Sequence, residues 1–295
     1  MRIGKTRRRR KNGSFKSSLL IGLIFGVFLV VSQELAYQYR VQKQYKEPGH
    51  LVTSVPKSTE SPTFETPIAV RPEVSSSQLG EDIEESGTPF GYYYSASNND
   101  VTIEIGAAEI TIDFTALMSE NEDFTGWFVI PGTDISYPVV QGADNAFYLN
   151  HTFNGAYGTV GTLFADCNNM MLEDENTIIY GHNFHQYGAM FSKLLYYEKQ
   201  DYYEEHPVMY YLTEEGGYKI EVYSVYEAST SDPIYTLSFS GNEEYKVFLD
   251  HAAKMSAIES DVQVTVEDKV ITLSTCSNRD SEGRFVVVGK ASAFG

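Results

Sequence analysis

Eight short runs of β-branched and aromatic residues follow one another between residues 127 and 291, and they restrict this part of the chain to a β fold. They read WFVI, ISYPVV, GTVGTLFAD, NTIIYG, VMYYLT, YKIEVYSVYEA, KVITLSTC and RFVVVGKA. Such side chains suit a pleated, largely buried surface. Turn signals, among them Pro131-Gly132 and Gly216-Gly217, separate the runs. Many short strands at this spacing predict a closed barrel or a sandwich. Two helices interrupt them. One is expected over residues 189–197. The other begins at Asn242 as its cap, with Tyr245, Phe248, Leu249 and Ala252 on one face. Just upstream, VTIEI and EITID read as a hairpin around Gly106, and DFTALMSENED as a short helix capped by Asp113. Residues 101–295 therefore form one domain of ordinary size.

What precedes this domain differs in kind. The chain carries a formal charge of −18, but residues 1–46 hold 11 basic side chains and a single acid, Glu34. The remainder has 11 basic against 39 acidic side chains, a net of −28. An acidic body of this kind offers no basic face for nucleic acid. Within residues 1–17 lies the cluster RRRRK, followed by LLIGLIFGVFLVV. Taken as residues 18–36, the apolar segment is about long enough to span a bilayer. The competing reading is a cleavable signal peptide, for which small residues at a cleavage position are poorly placed. The arginine cluster would stay cytoplasmic, which puts the domain outside the cell membrane as a single-pass protein. Residues 37–100 are expected to be an extracellular stalk. From residue 47 on they carry six of the ten prolines with many Ser, Thr and Glu, a composition that buries no core. A short helix is compatible with residues 77–85.

Candidate chemistry concentrates near the C-terminus. Cys276 closes the run VITLSTC, and Arg284 opens RFVVVGK across the polar loop SNRDSEG. Arg279 and Arg284 are the only arginines after Arg71. A thiol acts as a thiolate, which nearby positive charge favours. His182 also stands at a strand end, after NTIIYG. Cys, His and Arg meeting at strand ends would supply a nucleophile, a proton donor and acceptor, and an oxyanion or substrate clamp. A satisfied structural histidine is the bland alternative for His182. His182 and His185 form a His-x-x-His pair, but the glutamate of a zincin motif is missing and no metal or other cofactor is expected. The two cysteines, Cys167 and Cys276, admit a disulfide in an exported domain.

The ordered set IDFTAL, GWFVIPGTDISYPVVQGADNAFYL, NTIIYGHN, GAMF, ITLSTC and RFVVV, over about residues 112–291, resembles the sortase family, and class B within it. The helix after Ser240 is similar to the class B insertion before the cysteine strand. The resemblance implies a closed eight-stranded β-barrel with peripheral helices. It implies a cysteine transpeptidase on the outer face of a Gram-positive-type membrane, with catalytic residues His182, Cys276 and Arg284. Its partners would be surface proteins bearing a C-terminal sorting signal, cleaved after Thr, and a peptidoglycan precursor or crossbridge amine. Asn145, Leu149, Tyr180 and Ser274 match residues that line the class B substrate site, and Thr275 could orient substrate or the Cys276 backbone. For Leu149 and Tyr180 the competing reading is core packing. An Asp-Pro-aromatic lid is missing, since Thr88-Pro89-Phe90 lacks the acid. That favours wall anchoring over pilus assembly. The family pattern gives Cys167 no role.

Two other functions remain open on the sequence. A hydrolytic cysteine protease of papain type would place its Cys ahead of its His, the reverse of this chain. An anchored wall-binding or adhesion module, stapled by a disulfide, would draw on the 22 tyrosines.

Overall fold

The computed structural model of the chain describes residues 52–56, 92–95, 100–105, 108–184, 188–276 and 283–294. The expected membrane segment at 18–36, the basic tail, the 77–85 segment, His185 and Arg279 lie outside the described residues. No helix among the described residues is long and apolar enough to cross a membrane.

The expected hairpin forms from β3 (Asp100–Ile105) and β4 (Ala108–Asp113). It belongs to a four-stranded antiparallel sheet of order β1-β4-β3-β2, completed by β1 (Val52–Pro56) and β2 (Tyr92–Ser95). Those two strands fall within residues 37–100, the stretch expected as a stalk. Their hydrogen-bond partners are the β4 and β3 backbones, distant in sequence for β1, and such pairing leaves no trace in local composition. Helix α1 (Phe114–Glu120) follows, with Asp113 as its cap: the carboxylate accepts from the Ala116 N–H at 2.8 Å.

The eight expected strands are all present. They are β5 (Phe124–Val129), β6 (Ser136–Val140), β7 (Leu163–Ala165) and β8 (Asn176–Tyr180). After a two-residue hairpin of β9 (Asn183–Phe184) and β10 (Ala189–Met190) come β11 (Val208–Thr213), β12 (Gly216–Ser229), β13 (Lys269–Cys276) and β14 (Gly283–Phe294). They close a barrel in the order β11-β12-β14-β13-β8-β7-β6-β5, with β5 pairing back onto β11. The β6–β7 and β8–β13 pairs are parallel and the others antiparallel.

Period-two alternation explains the unbroken apolar runs in β13 and β14. Ile271, Leu273, Phe285 and Val287 point into the barrel interior with Phe128, Val139 and Ile179. Val270, Val286 and Val288 point the other way, beneath α3 (Asn242–Met255; α2 is Gln200–Glu205). That helix lays Tyr245, Phe248, Leu249 and Ala252 on them, the face its spacing predicts. Fully burying each large apolar side chain is worth about 1.5–3 kcal/mol. The cap differs from expectation. Asn242 is the first helical residue after Gly241, and the Glu244 carboxylate reaches back to the Ser240 N–H at 2.9 Å.

A second difference lies at residues 189–197, expected as a helix from its first residue; Ala189 and Met190 belong to β10. The chain instead leaves β10 through Met190, at φ 53°, and winds a 3-10 helix over Phe191–Glu198. Phe191, Leu194 and Tyr197 are fully buried, and a three-residue turn stacks side chains at that spacing.

Candidate active site

Because β8 and β13 run parallel, their C-terminal ends emerge on the same rim of the barrel. The register pairs Tyr180 with Ser274, so His182 and Cys276 each lie two residues further along neighbouring strands. Across the other edge of β13, Cys276 pairs with Arg284 at the start of β14. A thiol, an imidazole and a guanidinium thus converge through strand pairing alone, although 94 positions separate the histidine from the cysteine.

They line a cleft of about 220 Å³ together with Asn145, Leu149, Phe164, Tyr180, Gly181, Ser274 and Thr275. All eight sequence-predicted residues reach this one cleft. Cys276 is exposed, His182 and Arg284 are half-buried, and Ser274 and Thr275 are buried. Leu149 is 40% exposed, so core packing does not account for it. Phe164 and Gly181 were not singled out in the sequence. Phe164 carried no chemistry to mark it, and its ring packs on Tyr180 with centroids 5.3 Å apart.

The backbone holds these strand ends in place. Gly181 N–H donates to the Ser274 carbonyl at 3.1 Å, and Phe191 N–H to that of His182 at 3.0 Å. The Asn183 amide donates to the Cys276 carbonyl at 2.9 Å. His182 Nε2 meets the Leu149 carbonyl oxygen. A carbonyl can only accept, so this contact requires the proton on Nε2. Arg284 Nη1 donates to its neighbour's carbonyl, Gly283 O, at 3.1 Å.

The Leu149 carbonyl comes from the long crossover between the parallel strands β6 and β7. Asp144 Oδ1 accepts from the Ala146 and Phe147 N–H groups, both at 2.8 Å, and starts the 3-10 turn Phe147–Leu149. Gly161, at φ +67°, lets the returning chain pass close beneath: a Cβ there would stand 2.5 Å from the Tyr148 carbonyl.

The β12–α3 connection supports two of the cleft-lining residues, Tyr180 and Ser274, from behind. The buried Asn176 amide donates to the Ile234 and Thr236 carbonyls at 2.8 and 2.9 Å. That pins Tyr235, whose hydroxyl lies 3.0 Å from Ser274 Oγ and whose ring stacks over Tyr180 at 6.5 Å. Burial pushes the Tyr235 phenol up, while the Ser274 hydroxyl and the Arg284 charge draw it down. Tyr235 was not predicted. It sits in a loop whose sequence, DPIYT, reads only as a turn. Burial, then the charge of Asp166, pushes the Tyr180 phenol far up.

Both cysteines are free thiols, which removes the disulfide on which the adhesion-module reading depended. Cys167 lies just past β7, its N–H donating to Asn145 Oδ1 at 2.8 Å. Among the described residues no three His, Cys, Asp or Glu side chains gather as a metal site would require.

Residues 128–292 match the family model described as the sortase domain. The chain belongs to the sortase family. It is 39% identical to sortase B of Staphylococcus aureus over 180 residues, covering 60% of this chain and 73% of that protein. Solved structures agree. A Staphylococcus aureus sortase B–substrate complex superposes with a TM-score of 0.59 at 36% identity, over 62% of this chain and 86% of that one. A sortase B complexed with triglycine gives the same TM-score, identity and coverage. This sortase is therefore a cysteine transpeptidase whose likeness is to class B members. The helix α3 between the sixth and seventh barrel strands occupies the place expected for the class B insertion.

Proposed function

We propose that this sortase cleaves a C-terminal sorting signal after Thr and transfers the Thr acyl group through a thioester to a cell-wall amine, with Cys276 as nucleophile, His182 as acid and base, and Arg284 as clamp. The observation that carries the reading is the register. Cys276 faces Arg284 on one side, and His182 stands just past the end of the parallel strand β8 on the other, all in one open cleft.

The chemistry follows from the groups. The Cys276 thiolate attacks the Thr carbonyl carbon, forming a C–S bond and an oxyanion. The Arg284 guanidinium offers several N–H donors to that oxygen and to substrate carbonyls. As the tetrahedral species collapses, the C–N bond breaks and the imidazolium of His182 gives its proton to the leaving amine. An acceptor amine then attacks the thioester. His182 takes the proton from the attacking nitrogen, the C–S bond breaks and Cys276 leaves as thiolate. Asn145, Leu149, Tyr180, Ser274 and Thr275 line the route by which the signal would enter.

The solved sortase B complexes with a substrate and with triglycine support a peptide signal and a glycine-type amine as the two reactants. Residues 18–36 would anchor the enzyme with its barrel outside the cell, wall anchoring of surface proteins being the outcome. The test is to incubate the purified protein with a panel of fluorogenic sorting-signal peptides, with and without triglycine. One signal should be cleaved between Thr and the next residue, and triglycine should divert the product to a ligated peptide. Cleavage elsewhere, or a product to which triglycine never adds, would refute the assignment.

A further inference from the structure

Asp166, one residue past β7, is the only buried carboxylate side chain among the described residues. A buried charge is tolerated only where donors surround it, and here they do. Oδ2 accepts from Asn145 Nδ2 at 2.8 Å and from the Tyr180 hydroxyl at 3.0 Å. Oδ1 accepts from the N–H and side-chain amide of Asn168 at 2.9 and 3.2 Å.

The two donors on Oδ2 are cleft-lining residues from different parts of the fold. Asn145 comes from the β6–β7 crossover, and Tyr180 ends β8. The opposite end of the Asn145 amide, Oδ1, accepts from the Cys167 N–H at 2.8 Å. A carboxylate can only accept and an N–H can only donate, so the two contacts fix which way the Asn145 amide faces. The same logic commits the Tyr180 hydroxyl hydrogen to Asp166 and leaves only acceptor lone pairs for anything entering the cleft.

We propose that Asp166 is a positioning residue of this sortase: through one carboxylate oxygen it fixes Asn145 and Tyr180 for the sorting signal. It touches neither the thiol nor the imidazole in the structure, and it acts on substrate only through those two side chains. The proposal rests on the reading of the cleft as the sorting-signal site. An asparagine at 166 keeps the shape but supplies one acceptor oxygen where two are used, so one pair of donors must face an N–H.

The experiment compares wild type, Asp166→Asn, Asn145→Ala/Tyr180→Phe and the triple variant, with peptide turnover and alkylation of Cys276 by iodoacetamide as readouts. Asp166→Asn should lower kcat/KM by on the order of tenfold to a hundredfold, mainly through KM, with alkylation unchanged. In the Asn145→Ala/Tyr180→Phe background the same substitution should have almost no further effect on turnover. A loss that adds in full to the double variant, or one matched by slower alkylation, would make Asp166 a purely structural residue and overturn the proposal. The Asn145 side-chain amide resonance, identified by its loss in Asn145→Ala, should shift in Asp166→Asn; an unmoved resonance also overturns it. This signal needs no substrate, so wild type that turns over no peptide counts against the sorting-signal reading and leaves the resonance to decide on Asp166. Should Asp166→Asn not fold, Asn145→Ala and Tyr180→Phe carry the test by thermal unfolding. Non-additive effects support the shared carboxylate, and additive ones overturn it.

Discussion

Arg284 stands directly across the β13–β14 pair from Cys276. One of its N–H groups donates to Gly283 O, and its charge is felt by the Tyr235 phenol at the cleft. If its work is to hold a developing oxyanion and substrate carbonyls through a fork of donors, charge alone cannot replace it. Arg284→Lys should therefore slow acylation by on the order of 10²–10³, the usual loss for a missing oxyanion donor. Single-turnover acylation checks this, and a near-normal rate would reduce Arg284 to a neighbouring positive charge. Cys167, by contrast, contributes a backbone N–H to Asn145 rather than its thiol. Cys167→Ser should keep most activity in the same assay.

At the scale of elements, the end of β8 is the sensitive joint. Gly181 is buried there, and a Cβ on it would stand 2.4 Å from Leu163 Cδ2 and 2.6 Å from Phe191 Cδ2. Both neighbours are themselves buried and have little room to move. Gly181→Ala should destabilise the domain by about 1–3 kcal/mol, the range for overpacking. It should also lower turnover beyond what stability explains, since His182 is the next residue. Chemical denaturation and kcat on the folded fraction separate the two effects. The legibility of elements in the sequence follows the same physics. Each barrel strand could be read because its β-branched runs are bounded by turn residues. The face of α3 could be read because Tyr245, Phe248, Leu249 and Ala252 recur at helical spacing. The 3-10 winding of Phe191–Glu198 could not, because its apolar residues fit either helix until the left-handed Met190 is known. Nor could β1 and β2, whose stability comes from β4 and β3. Cys276, His182 and Arg284 stood out because Cys276 closes one strong strand run, His182 follows the end of another and Arg284 opens a third. Asp166 and Tyr235 lay in loops, and only the folded contacts reveal them.

The molecule as a whole is rich in tyrosine, with 22 in the chain, and many are buried in and around the barrel. Burial is the first cause that pushes the phenols of Tyr148, Tyr202 and Tyr210 up to about 12. It drives those of Tyr197, Tyr211, Tyr223 and Tyr245 higher still. A group whose pKa is raised on folding stabilises the native state fully below its unfolded value, near 10, and that stabilisation is lost as pH rises through the folded value. Stability should thus hold to about pH 10 and fall steeply between about pH 10 and 12. Absorbance of the phenolate near 295 nm should rise in two stages, the second coinciding with loss of the near-ultraviolet dichroism. A single smooth titration centred near 10 on a still-folded protein would contradict the burial described here.

The central claim, that Cys276 forms the covalent link to a sorting signal at the β13 rim, has a direct measurement. The purified protein is mixed with a cleavable sorting-signal peptide without an acceptor amine, quenched in acid, digested and mapped by mass spectrometry. An acyl adduct ending in Thr is expected on the fragment that contains Cys276. The adduct should be discharged when triglycine is added before the quench, absent in Cys276→Ala, and formed far more slowly in His182→Ala. An adduct on Cys167, or cleavage that persists in Cys276→Ala, would contradict it.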